Sequence, residues 1–220
     1  MSVISEEQVE AGAALYSKPF LYIYDWMALG LFSRFIWRCS SRRMLEHYQE
    51  NVTANHLDIG VGTGYFLDNC RFPSAEARLV LMDYNQNSLD VAGRRLARHN
   101  PEIYRRNALE PFDIDGPGFD SISLMNLLHC LPGDMAGKEA VFEQAGAVLN
   151  PGGVLFGSTI LGRGDRYNGL AKLTLRITNR AGFMTNLEDD IEGLKEGLER
   201  HFNESSVRLV GCQALFRAVN

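Results

Sequence analysis

Cysteine is scarce in this chain. Four residues, Cys39, Cys70, Cys130 and Cys212, are scattered over 220 positions with no C-x-x-C pair and no metal-ligand spacing. That excludes a disulfide framework, gives no metal site, and fits a reduced cytoplasmic protein. Surplus positive charge is lacking too: 22 Lys and Arg stand against 27 Asp and Glu, a formal charge of −5, which argues against a nucleic-acid partner. The arginine clusters Arg34, Arg38, Arg42, Arg43 and Arg94, Arg95, Arg98 read as solvated helix faces. A basic leader with an apolar core is not seen at the start, where Ser5-Glu6-Glu7-Gln8 reads instead as a capping box opening a short helix toward Tyr16. The most apolar stretch, Pro19 to Phe32, is broken by Asp25 and flanked by Lys18 and Arg34, so stable membrane insertion is not expected. It reads as a helix capping an apolar pocket. Internal repeats and low-complexity segments are not seen.

What is present is an alternation of strand-like and helix-like segments, which gives a parallel sheet with helices on both faces. Strands are expected near His56 to Ile59, Arg78 to Met82, Ile103 to Arg106, Ser121 to Met125 and Val154 to Ile160. Leu89, Ala92 and Leu96 mark one helix, and Ala140, Phe142, Ala145 and Val148 another. Leu187, Ile191, Leu194, Leu198 and Phe202 form a stripe with Asn186 placed as its N-cap. Ser206 to Val210 and Gln213 to Val219 read as a hairpin around Gly211-Cys212. The length suits one domain with a full core.

The most informative segment is His56-Leu-Asp-Ile-Gly-Val-Gly-Thr-Gly-Tyr-Phe-Leu67, a buried strand breaking into a glycine turn and then a helix. Gly60, Gly62 and Gly64 allow backbone conformations and close approaches that side chains would block, and the helix behind them offers unpaired N–H groups. A second apolar run, Leu79-Val80-Leu81-Met82, ends in Asp83, at the distance where a βαβ unit brings an acid to a ribose diol. A dinucleotide fingerprint requires a small residue where Tyr65 stands. Asp58 also places a carboxylate where a pyrophosphate would lie, which favours an ammonium or sulfonium instead. The pattern D-x-G-x-G-x-G resembles that of the class I S-adenosylmethionine-dependent methyltransferases. The resemblance implies a Rossmann-like doubly wound, mostly parallel seven-stranded sheet with an antiparallel C-terminal edge and an N-terminal helical cap. It also implies that Asp58, Gly60, Gly62 and Gly64 surround the methionine moiety of S-adenosylmethionine and that Asp83 accepts from both ribose hydroxyls. Tyr84 packs on adenine in this reading, and Asn107, Ala108 and Leu109 meet its edge, Asn107 standing where the family usually has an acid. The segment from Phe119 to His129, with Asn126 in its loop, resembles the fourth strand facing the transferable methyl, and Leu149 to Ser158 the fifth.

Within the single domain, 1–52 is expected as the helical cap, 53–160 as the cofactor-binding core, 161–185 as a substrate lid and 186–220 as the C-terminal helix and closing hairpin. Cap and lid lie outside the cofactor scaffold and would decide the substrate, a small and largely apolar or aromatic molecule. Tyr16, Tyr24 and Trp26 of the cap and Phe183 of the lid are the candidate substrate contacts, with Gly162, Gly164, Gly169 and Gly182 as hinge points. Methyl transfer asks mainly for alignment and exclusion of water. A base is needed only where the acceptor must lose a proton, and His129 is the first candidate for substrate contact and that role, with Asp25 second. The sequence leaves the acceptor atom open among oxygen, nitrogen, carbon and sulfur. Two other readings stand beside methyl transfer: a protein of the same fold that binds the cofactor without transferring methyl, in cyclisation or regulation, and a nicotinamide oxidoreductase.

Overall fold

A computed structural model describes residues 25–74, 76–164 and 166–220; the helix expected from Ser5, and Tyr16 and Tyr24, lie outside them. Seven strands, β1 (Asn55–Ile59), β2 (Arg78–Asp83), β3 (Glu102–Arg105), β4 (Phe119–Met125), β5 (Leu149–Ile160), β6 (Glu204–Val210) and β7 (Gln213–Val219), form one sheet in the order β3-β2-β1-β4-β5-β7-β6. Pairing is parallel from β3 to β5, and β7 runs antiparallel to both β5 and β6. The expected doubly wound sheet with its antiparallel edge is thus found. Because β1 is flanked by β2 on one side and β4 on the other, the chain reverses direction of winding there, and a crevice opens at the carboxyl ends of β1 and β4.

Among the described residues the helices are α1 (Asp25–Ile36), wound in the wide π form, α2 (Ser41–Asn51), α3 (Tyr65–Asn69), α4 (Gln86–Arg95), α5 (Met135–Lys138), α6 (Ala140–Val148), α7 (Gly169–Arg180) and α8 (Ile191–His201). One sheet face packs Phe142, Leu194, Leu198 and Phe216; the other packs Met44, Tyr48, Leu89 and Phe156. The second face also carries polar residues at period two, His56 and Asp58 on β1 in register with Ser121 and Ser123 on β4. Buried polar groups need partners, and here Tyr48 of α2 supplies them. Its hydroxyl donates to Asp58 at 2.8 Å, so the 2.8 Å contact with His56 Nε2 is a bond from the imidazole N–H to Tyr48. His56 Nδ1 then accepts from Ser121 at 2.7 Å, and Ser121 lies 2.8 Å from Thr53 Oγ1. One hydrogen-bonded chain therefore crosses the sheet and ends on Asp58.

Two local expectations are corrected. Helix α8 starts at Ile191, capped by Asp190, which accepts from the Gly193 N–H at 2.8 Å. Asn186 instead donates its side-chain amide to the Ile160 carbonyl at 2.6 Å, tying the preceding segment to β5. Within that segment Asp189 is held by the Lys138 ammonium at 2.6 Å, a pair shut away from solvent. Gly162 is no hinge: a Cβ there would lie 1.7 Å from the Asn186 carbonyl, so the position serves close packing. Among the described residues no helix is long and apolar enough to cross a membrane.

Candidate active site

The turn after β1 is built from left-handed glycines, with φ of 71° at Gly60, 55° at Gly62 and 74° at Gly64. A Cβ on Gly60 would meet Leu127 Cδ1 at 2.7 Å. The Gly62 N–H donates to Asp83 Oδ2 at 3.1 Å and the Asn85 N–H to Oδ1 at 2.8 Å, which fixes the carboxylate at the end of β2. The first of two cavities opens here. Asp58, Gly60, Gly62, Asp83, Tyr84, Asn107, Ala108 and Asn126 line it. Two expected members do not. Gly64 sits beneath α4, where an added Cβ would stand 3.2 Å from Ala92 and Leu96, and Leu109 packs on the core with its N–H taken by Asn107 Oδ1 at 3.1 Å. The adjoining Glu110 accepts from Asn107 Nδ2 at 2.9 Å, so this side chain is held from both ends. Arg105 lies over the Tyr84 ring, 5.3 Å from its centroid.

Two carboxylates thus share one cavity. Burial pushes Asp58 up to about 7 against the opposing donors Tyr48 and Ser123, and burial pushes Asp83 up to about 6 against its backbone donors. Both are therefore poised for a ligand that brings positive charge and hydroxyl donors, and the arrangement repels phosphate. S-adenosylmethionine fits this donor set, whereas a pyrophosphate does not.

The second cavity lies under α1 and α7. Its walls are mainly Met27, Phe32, Trp37, Ile160, Phe183 and Met184, with Ser33, His129, Thr178 and Gln213 as polar members. Leu29, Asn126 and Cys130 line both cavities and so mark where they meet. Phe183 is one of its lining residues. Trp26 is not: it is 73% exposed and lines neither cavity, because the wide winding of α1 turns Leu29 and Ser33 inward. Asp25 accepts from Thr63 Oγ1 at 2.6 Å and pairs with Arg95 at 2.8 Å, clasping the cap to the glycine turn rather than facing an acceptor. His129 is buried, and burial, with the Lys138 charge behind it, pushes it down to about 3. Its Nδ1 accepts from the Ile160 backbone N–H at 3.2 Å. A neutral imidazole in that state carries its proton on Nε2, which makes His129 a donor instead of the base suggested by the sequence.

A family profile described as a methyltransferase domain matches residues 57–155. The chain is 37% identical to demethylluteothin O-methyltransferase of Streptomyces thioluteus over 97% of its own length and 93% of that protein. It belongs to the class I S-adenosylmethionine-dependent methyltransferases. A second member of this methyltransferase family, the physcion biosynthesis cluster O-methyltransferase of Aspergillus chevalieri, is 37% identical over 96% of the chain and 95% of the relative. The solved complex of DhpI with SAH superposes with a TM-score of 0.70 at 17% identity, over 99% of this chain and 98% of that one, a likeness of fold. This kinship sets the nicotinamide reading aside. The profile match runs from β1 into β5, so it spans most of the methyltransferase's first cavity, while the walls of the second stand largely outside it. Sequence reasoning missed Ser33, Thr178 and Gln213. Only Gln213 left a signal, a polar residue opening a strand that continues Ala-Leu-Phe-Arg-Ala-Val.

Proposed function

We propose that this methyltransferase transfers the methyl group to a hydroxyl oxygen of a small, largely apolar or aromatic molecule of secondary metabolism. The observation that carries the reading is the second cavity, apolar over most of its wall, meeting the cofactor cavity at Leu29, Asn126 and Cys130. Two relatives named as O-methyltransferases support the choice of oxygen. When bound, S-adenosylmethionine supplies a methyl group activated by its sulfonium, with a neutral thioether as leaving group. Asp58 would hold the ammonium, Asp83 the ribose hydroxyls, and Tyr84, Asn107 and Ala108 the adenine. His129 would donate its Nε2–H to an acceptor oxygen, holding it in line. The four cysteines form no disulfide, which suits a reducing cytoplasm.

The test is to incubate the protein with S-adenosylmethionine and matched naphthalenes bearing a hydroxyl, amine or thiol, and to follow S-adenosylhomocysteine and methylated product by mass spectrometry. Methyl ether formation is expected. Transfer to the amine or thiol alone would overturn the assignment to oxygen.

A further inference from the structure

At the junction of the two cavities stands a pair of side-chain amides whose orientation the structure fixes. Asn126, held at φ 58° just after β4, places its Nδ2 3.6 Å from the Met44 sulfur. A thioether accepts and cannot donate, so Nδ2 belongs on that side and Oδ1 on the other. Oδ1 takes the Ser158 hydroxyl at 3.0 Å and the Gln213 Nε2 at 3.1 Å. Gln213 must therefore present its nitrogen to Asn126, which leaves Oε1 as the outer atom of the pair. Gln213 is 1% exposed and lines the acceptor cavity, and its Oε1 has no hydrogen-bond partner among the described residues. A buried acceptor without a donor is a standing penalty that a ligand can remove. The neighbouring hydroxyls do not remove it: Ser33 donates to the Ala28 carbonyl at 2.8 Å and Thr178 to the Thr174 carbonyl at 3.0 Å.

We infer that Gln213 is the specificity-determining residue of the acceptor cavity, its Oε1 accepting a hydrogen bond from the hydroxyl that is to be methylated. This rests on the reading of the second cavity as the acceptor site for an oxygen nucleophile. The bond orients the O–H toward Oε1 and so leaves an oxygen lone pair free for the incoming methyl carbon. In the transfer the carbon–sulfur bond breaks with its electrons going to sulfur, the oxygen–carbon bond forms, and the hydroxyl proton leaves to water, an amide oxygen being too weak a base to keep it. The amide thus sorts acceptors by a proton they carry: a hydroxyl is favoured over its own methyl ether, which also favours release of product.

The experiment uses the S-adenosylhomocysteine-loaded protein with 2-naphthol and 2-methoxynaphthalene as probes, binding being read by fluorescence. Wild type should hold the naphthol about tenfold more tightly than its ether, the worth of one net hydrogen bond. Gln213→Met should bring the two to within about twofold while leaving S-adenosylhomocysteine affinity unchanged, and Gln213→Leu should do the same. No discrimination in wild type, or discrimination that survives both substitutions, overturns the assignment. Discrimination lost in the variants alongside a wild-type enzyme that methylates only the amine or thiol would sustain the Gln213 contact and sink the oxygen chemistry.

Discussion

Replacing Tyr48 with Phe removes one oxygen from the middle of the buried polar chain, and both sides of the gap should register it. The hydroxyl donates to Asp58 and accepts from His56, each at 2.8 Å. A hydrogen bond to an ionised carboxylate contributes about 1.5–3 kcal/mol, and the His56 N–H left behind keeps a contact with Ser123 at 3.2 Å. We expect the fold to lose about 2–3 kcal/mol at pH 8, roughly 5–10 °C in Tm for a domain of this size. The pH dependence has a definite sign. Asp58 is raised from an ordinary value near 3.8 to about 7, so its contribution to stability is fully present below the lower value and is lost as pH rises through the upper. Around it stand Tyr48 and Ser123, which favour the charge, and Asp83, which opposes it, while the Cys70 thiol is itself raised, by burial first and by Asp58 second. Without the Tyr48 donor Asp58 titrates higher still. The gap in Tm between wild type and Tyr48→Phe should therefore widen from pH 6 to pH 8. Affinity for S-adenosylhomocysteine, whose ammonium needs the carboxylate charged, should be several-fold weaker in the variant near neutrality and should recover as pH rises. Calorimetric titration across pH 6.5–9, expressed as the ratio of the two Kd values, cancels the titration of the ligand itself. Stability and affinity gaps that do not move with pH would refute the coupling of Tyr48 to the charge of Asp58.

Asp83→Ala should weaken S-adenosylhomocysteine by about 2–3 kcal/mol through loss of charge-assisted ribose contacts, and unchanged affinity by calorimetry would remove Asp83 from the site. For His129, held neutral down to about 3 with Nδ1 occupied, kcat at saturating substrates should show no imidazole limb between pH 5.5 and 8. A limb near 6.5 that disappears in His129→Gln would restore the histidine as a base.

The cofactor half of this molecule was readable because its signals are local. Central parallel strands are buried on both faces, so β2 reads as an apolar run closed by Asp83, while the glycine turn that follows Ile59 marks the end of β1 beside Asp58. Strand β7 was likewise bounded at Gln213 and Val219 by its turn. Errors came where distant partners decide. Asn186, Asp189 and Asp190 are all plausible caps by composition, and the contacts of Asn186 with Ile160 and of Asp189 with Lys138 leave the task to Asp190. Trp26 misled because it reads as an aromatic of the cap, whereas α1 buries Leu29 and Ser33 and leaves Trp26 in solvent. Gln213 stood out as a polar residue, but its pairing was invisible for the same reason: its partner Asn126 lies 87 residues away.

The two cavities draw on different stretches of chain. Apart from Leu29, the cofactor walls come from Asp58 to Pro132, whereas the acceptor walls come largely from α1, α7 and the ends of β5 and β7, and the two sets meet in three residues. If the second cavity takes the acceptor as proposed, a lineage carrying this plan can revise what it methylates by altering α1, α7 and a strand end, leaving the first cavity untouched. Exploration of new acceptors is thereby uncoupled from the risk of losing the catalyst. Leu29, Asn126 and Cys130, shared by both sides, are the residues where that freedom ends.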